Sequence, residues 1–285
     1  MHGIINVYKP SFMSSNYVLK HLKKNLNIKK LGHSGTLDPL ACGVLPVLVN
    51  KGTKLFDFYL NKTKIYRAIF TFGKETDTLD SEGKVIKTSS FIPKINDIEL
   101  NLPKLTGNIS QLPPNFSAKS VNGKRAYELA RKGETIELKP KEVEIYYFKL
   151  IKQINESSFL FEIKCSSGTY IRSLARDLAV LCNSCAFMSA LIRVESGEYN
   201  ILNSTYVKDL TKENFSDKLI KLDFALKNFK KINLNKEYFK QISNGVKIKV
   251  NIENTKNIIV FCNDILIGIG EIENFILKIN TNLLT

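Results

Sequence analysis

The stretch 143-VEIYYFKLIKQINESSFLFEIKCSSGTYIRSLARDLAVLC-182 places two β-type runs back to back and then changes period. Residues 143–154 and 158–165 are rich in β-branched and aromatic side chains, and the polar NESS at 155–158 suits a turn, so the pair reads as a hairpin. Past Cys165 the spacing shifts to three and four. Ile171, Leu174, Leu178 and Leu181 line one face of a helix that starts as the strand ends at SGTY. A hairpin that runs into an amphipathic helix belongs to a mixed domain of sheet and helix.

Toward the N-terminus, IYRAIFTF (65–72) reads as a strand, and GKETDTLDSEG (73–83) as a polar loop with glycine at both ends. GIINVY (3–8) alternates poorly and reads as a buried strand. SSNYVLKHLKKNL (14–26) opens on serine N-cap candidates and carries Val18, Leu19, Leu22 and Leu26 at helical spacing. GKRAYELARKG (123–133) predicts a short basic helix between glycines. The character changes after residue 229: VKIKV, IIVFC, ILIGIGEI and FILKI are short strand candidates separated by Asn, Asp and Gly turns. The expected organisation is therefore a larger mixed domain over 1–229 and a small β-rich module over 230–285.

The chain has 285 residues and a formal charge of +15, from 42 basic and 27 acidic side chains. A surplus of that size, spread along the chain, points to a polyanionic partner. A membrane partner is disfavoured: the longest apolar run, CGVLPVLV (42–49), is far too short to span a bilayer. The opening MHGIINVYKP reads as a strand entering a loop, not as a signal peptide. Five cysteines, an odd count, suggest free thiols in a reducing cytoplasm. Cys182 and Cys185 have C-x-x-C spacing, but no second pair or nearby histidine completes a zinc site, and no metal is expected. Lysines number 36 and arginines only six: Arg67, Arg125, Arg131, Arg172, Arg176 and Arg193. Where lysine serves for generic charge, those few arginines mark places that call for a planar, permanently charged fork.

The segment with chemistry in it is 29-KKLGHSGTLDPLACGVLP-46. Pro39 keeps Asp38 out of helical geometry, and Gly35 and Gly43 permit close turns on either side. A carboxylate held this way can be a nucleophile, a general base or a metal ligand; it can equally cap a turn, since Asp-Pro is a common turn signal. DTLDS (77–81) resembles an aspartate-nucleophile phosphatase motif only loosely, because that chemistry wants its first Asp at the end of an apolar strand. Lys20, Lys23, Lys24, Lys29 and Lys30 precede the Asp38 loop, and Lys119, Lys124, Arg125, Arg131 and Lys132 surround the 123–133 segment. Such groups suit the phosphates of a folded RNA.

Five segments in order, VYKP with MSSN, GHSGTLDPLACGVLP, KIYRAIFTFGKETDTLDSEG, PPNFSAKSVNGKRAYELARKG and CSSGTYIRSLARDL, together resemble the bacterial tRNA pseudouridine-55 synthase family, the B type. The resemblance runs from about residue 3 to about residue 199 and is weaker beyond. It implies an α+β fold, with a mostly antiparallel catalytic sheet and a C-terminal PUA-like RNA-binding domain. It also implies isomerisation of uridine 55 in the tRNA T-loop, in the cytoplasm, with the T-arm and loop as partner and no protein partner required. By position, Asp38 matches the catalytic aspartate, and Arg172 the arginine that pairs with it. Tyr66 matches the tyrosine that stacks on the target base, and Tyr170 lines the same pocket. His33 matches the histidine that meets the T-loop, Lys9 and Pro10 the KP loop, and Asp80 an acidic residue near the base. The reaction breaks N1–C1′ and rejoins the ring through C5 with no redox change, so no cofactor is expected.

Departures from the family are few. Phe12 stands where glycine is usual, which is strained if that position has positive φ. Ser34 and Cys42 replace the commoner threonines, and LIRVESGEY carries only Arg193 where the family often has two consecutive arginines, with Ile192 in the other place. Two rival readings stand beside this one: a non-catalytic RNA chaperone that grips tRNA through the same surface, and a synthase of related fold that targets another RNA or relies on a guide RNA and partner proteins.

Overall fold

The computed structural model of the chain describes residues 1–114, 116, 120–121, 124–125 and 138–284. In chain order the strands up to residue 196 are β1 (Gly3–Lys9), β2 (Leu31–His33), β3 (Cys42–Val49), β4 (Lys64–Phe72), β5 (Lys74–Thr76), β6 (Val85–Thr88), β7 (Gly107–Gln111), β8 (Ser120–Val121), β9 (Lys124–Arg125), β10 (Lys141–Gln153), β11 (Ser158–Cys165) and β12 (Ala186–Ser196). The main sheet runs β1–β3–β12–β4–β11–β10–β7, with β2 paired to β3. Every one of these pairings is antiparallel except β12 with β3. The expected hairpin is β10 and β11, and β11 passes its other edge to β4, with Tyr66 opposite Ile163.

Strand faces explain two sequence patterns. On β4, Tyr66, Ala68, Phe70 and Phe72 alternate inward while Arg67 faces solvent, the period of a sheet buried on one side. β3 has no such alternation because it is buried on both sides. Leu45, Val47 and Val49 join one core, and Val44 and Leu48 the other. The first core lies under two helices, Ser15–Leu26 and Ile171–Leu181, whose Val18, Leu22, Leu26, Ile171, Leu174 and Leu178 face the sheet. Ser14 caps the first of them, its side chain accepting from the Tyr17 N–H at 3.1 Å.

The opposite face of β1 and β3 packs against a second, five-stranded sheet from Lys231–Leu234, Ile248–Lys249, Thr255–Cys262, Ile265–Glu273 and Ile276–Asn282. Ile4, Val44 and Leu48 share one apolar cluster with Tyr59, Leu226, Ile259, Ile269 and Leu283. Lys54 Nζ donates to the Asn282 carbonyl at 2.7 Å across the same contact. The Lys231–Leu234 strand pairs in parallel with Thr255–Cys262, a crossover pairing that local periodicity does not reveal. Among the described residues no helix is long and apolar enough to cross a membrane.

Two segments differ from the sequence reading. The expected 123–133 helix begins instead in β9 at Lys124–Arg125, and its remainder lies outside the described residues. The polar loop at 73–83 holds one arm of a small hairpin, β5 with β6. It also contains Leu79 at φ 61°, a left-handed conformation costing on the order of 1–3 kcal/mol for a branched side chain.

Candidate active site

The Asp38 loop is anchored by its apolar residues. Leu37, Leu40 and Ala41 are buried, while Asp38 between them stays partly open. Ser15, buried at the start of the first helix, both donates to the Leu37 carbonyl and accepts from the Leu37 N–H, each at 2.9 Å. This two-way contact fixes the backbone one residue before the carboxylate.

Arg172 reaches Asp38 from the first turn of the Ile171–Leu181 helix. Its Nε lies 3.0 Å from Asp38 Oδ2, with the guanidinium 6% exposed and the carboxylate 35%. The rest of the fork is occupied: Nη1 donates to the Thr78 carbonyl at 2.8 Å and lies 3.5 Å from Asp80 Oδ2, and Nη2 donates to the Phe116 carbonyl at 3.0 Å. Asp80 is buried, and its Oδ1 accepts from Thr78 Oγ1 at 2.6 Å and from the Glu82 N–H at 3.0 Å. Leu79 accounts for this arrangement. Its left-handed backbone turns the Thr78 carbonyl and the Asp80 carboxylate toward the same guanidinium, and its own carbonyl accepts from the Met188 N–H at 3.0 Å. The strain is held by burial of the Leu79 side chain.

Tyr66 is buried on β4, directly across from Arg193 on β12. Burial pushes its phenol up, and the Arg193 guanidinium opposes that. Arg193 is 1% exposed and spans the two stems of the Asp38 loop: Nε donates to the Val44 carbonyl at 2.7 Å and Nη2 to the Gly35 carbonyl at 3.1 Å. Its backbone presses on Gly43 so closely that a Cβ there would sit 2.3 Å from the Arg193 oxygen, and Gly43 has φ 105°. Arg193 thus ties the Asp38 loop to the strand bearing Tyr66. The sequence offered one signal for it, its membership in a set of six arginines.

The other sequence candidates fall into two groups. Tyr170 is half-buried at the N-terminus of the Arg172 helix. Its backbone is clamped by Gln111, whose Oε1 accepts from the Tyr170 N–H at 2.8 Å and whose Nε2 donates to the Tyr170 carbonyl at 3.1 Å. His33 ends β2, with Nδ1 lacking a protein partner among the described residues; burial and the Arg193 charge lower its pKa. Lys9 does not open to the surface. It is fully buried, and its ammonium donates to the carbonyls of Pro10 at 2.9 Å, Met13, and Pro39 at 3.3 Å. It joins the 10–13 turn to the Asp38 loop from inside. Phe12 keeps a positive φ of 62° in that turn, and its N–H donates to the Pro39 carbonyl at 2.7 Å, so the backbone departs little from what a glycine would adopt.

Cys182 and Cys185 are buried, and Cys182 Sγ contacts the Asp97 carbonyl and Asn101 Nδ2. The described residues contain no group of three or more His, Cys, Asp or Glu placed to hold a metal ion. Lys20, Lys23, Lys24, Lys29 and Lys30 are all exposed; the side chains of the 119–132 basic set lie outside the described residues.

Residues 23–171 match the TruB family pseudouridylate synthase N-terminal domain. The chain belongs to this family. It is an enzyme, an isomerase that forms pseudouridylate. It is 43% identical to tRNA pseudouridine synthase B of Clostridium novyi over 87% of this chain and 86% of the relative. It is 40% identical to tRNA pseudouridine synthase B of Borrelia garinii over 90% of each. Its fold is that of a chain in the structure of an H/ACA RNP bound to a substrate RNA containing 2′-deoxyuridine. That match has a TM-score of 0.70 at 21% identity and covers 99% of this chain and 85% of the other. A chain of a Cbf5–Nop10–Gar1 complex matches with a TM-score of 0.70 at 24% identity, over 94% and 78%. The mixed sheet fold with its C-terminal β module is therefore the pseudouridine synthase fold that the sequence resemblance implied.

The buried cations give this site a pH signature. Burial holds Lys9 and Lys64 each down to about 8, against 10.5 for a free lysine. Between those two values the unfolded chain keeps protons that the folded chain has released, so stability rises with pH; below the lower value both states are protonated and the contribution is flat. The gain ends near pH ~10, where unfolded phenols begin to lose protons that buried Tyr59 and Tyr199 retain. Thermal melts from about pH 7 to about pH 10 should show the melting temperature climbing. The climb should shrink in Lys64→Met; an unchanged slope in that variant would remove Lys64 from this account.

Proposed function

We propose that the enzyme isomerises uridine 55 in the T-loop of tRNA, with Asp38 as the catalytic carboxylate. The observation that carries this reading is the 3.0 Å contact between a buried Arg172 and a carboxylate that remains one-third open. The guanidinium is a permanent cation that holds the Asp38 carboxylate by a charge-assisted hydrogen bond as a bound base dries the site. The open oxygen is free for the ribose. A carboxylate can add covalently to the nucleoside or help remove a ribose proton. Either way N1–C1′ breaks, the uracil turns, C5 bonds to C1′, the C5 proton leaves and N1 gains one. Atoms and electrons balance without a cofactor.

The target base must first leave its stack, at a cost of a few kcal/mol. Tyr66 on its rigid strand is the platform that returns about 1–3 kcal/mol by stacking. Tyr170 completes the pocket wall, Asp80 steadies Arg172, and Lys9 and Arg193 hold the Asp38 loop. His33, only partly buried at the end of β2, is the group left to meet the RNA loop as the base departs. The exposed lysines at 20, 23, 24, 29 and 30, and the C-terminal module over 230–285, supply contacts to phosphates and to RNA shape. The tRNA target rests on the two relatives' shared activity.

The test is to incubate the protein with an unmodified tRNA transcript and map pseudouridine through a base-specific chemical adduct. A single adduct stop at position 55 is expected. Product elsewhere in the tRNA, or none, would overturn the assignment of the target.

A further inference from the structure

Two non-glycine residues flanking the site are held in the left-handed region, Phe12 at φ 62° and Leu79 at φ 61°. Leu79 is buried, and its conformation serves the Arg172 network. Phe12 has no such explanation: its side chain is 80% exposed, so neither burial nor packing of the ring offsets the strain. Phe275, the other described phenylalanine with positive φ, sits with Asn274 in a two-residue hairpin turn between adjacent strands, where the turn type imposes that geometry on whichever residue is present. Glycine would meet positive φ at no steric cost in either turn; what sets Phe12 apart is that its turn, bonded to Pro39, carries an 80% exposed side chain beside the Asp38 loop.

The turn that presents Phe12 is rigid. Its N–H is bonded to the Pro39 carbonyl, next to Asp38, and the buried Lys9 ammonium pins Pro10, Met13 and Pro39 together. The turn thus holds a large aromatic side chain out in water, its backbone bonded to the residue that follows the catalytic carboxylate. An exposed aromatic on a rigid support is what stacks an unpaired base in sequence-tolerant RNA recognition. The first helix, which begins three residues on at Ser15, carries the exposed Lys20, Lys23 and Lys24.

We propose that Phe12 is a second stacking platform, outside the uracil pocket, for a nucleobase of the RNA loop adjacent to the everted uridine. The proposal rests on the reading of this site as one that acts on an RNA loop. Stacking on Phe12 adds to ground-state and transition-state binding alike, so its loss raises KM and leaves the rate at saturating RNA nearly unchanged.

The experiment compares wild type with Phe12→Gly, Phe12→Leu and Phe12→Tyr on an unmodified T-arm hairpin RNA. It reads KM, the single-turnover rate at saturation and the melting temperature. Phe12→Gly should raise KM about tenfold and, by relieving the backbone, raise the melting temperature by about 2–4 °C. Phe12→Leu should lose as much affinity with no gain in melting temperature, and Phe12→Tyr should match wild type in KM. An unchanged KM in Phe12→Gly with active wild type would overturn the stacking role, and so would a Phe12→Leu that binds like wild type. Wild type that neither binds nor converts the hairpin would instead defeat the underlying reading of the site.

Discussion

Asp38→Asn should abolish turnover, by a factor of at least about 10⁴, while the affinity for unmodified RNA should stay within about threefold of wild type. The amide has the shape of the carboxylate and still reaches Arg172, but it carries no charge and neither adds to a nucleoside nor takes a proton. Stability should hardly move. The Asp38 side chain is 35% exposed, so its half of the ion pair is largely solvated, and Arg172 retains Asp80 and two carbonyls. Loss of an open ion pair of this kind costs under about 1 kcal/mol. Gel-shift titration, a melting curve and single-turnover adduct formation on one preparation separate the three effects. Residual turnover above a few per cent of wild type would mean that another group does the work, with Asp38 only steering Arg172.

Local features of the site and fold were legible in the sequence wherever chemistry acts over a few residues. The alternation on β4, the four-residue spacing of the Arg172 helix and the serine cap at residue 14 all announce themselves through period or side-chain type. The pairing of Asp38 with Arg172 came from resemblance, since the two are separated by most of the catalytic domain. Contacts made by register were not legible. Arg193 meets Gly35 and Val44 only because β12 pairs in parallel with β3, and it meets Tyr66 only because β12 also pairs with β4. Through the KP loop, the resemblance implies a substrate-binding role for Lys9, and burial of its whole side chain depends on how the 10–13 turn folds over Pro39. Asp80 looked like a residue near the base, and its bond to Arg172 depends on the backbone of Leu79, a conformation that leucine does not advertise. In each case a fork or an ammonium is bonded to backbone carbonyls, and no side-chain pattern encodes a carbonyl's direction.

Arg172→Met should have the second large effect, and here stability and catalysis fall together. Without the guanidinium, Asp80 is left buried with no countercharge, a loss of about 3–5 kcal/mol for a broken buried pair. The melting temperature should drop by about 10 °C. Turnover should fall by at least about 10³, since Asp38 loses the group that fixes it in a dry pocket. Arg172→Lys should recover part of the stability but little of the turnover. An ammonium is one point charge on a flexible stem, and it cannot serve Asp38, Asp80, the Thr78 carbonyl and the Phe116 carbonyl at once. The double variant Arg172→Met/Asp80→Asn separates the two roles: removing the orphaned charge should return several degrees of melting temperature while leaving the enzyme inactive. If turnover came back with stability, Arg172 would be acting through the fold alone. If neither came back, the cost of Arg172→Met would lie in the unsatisfied Thr78 and Phe116 carbonyls and not in the buried carboxylate.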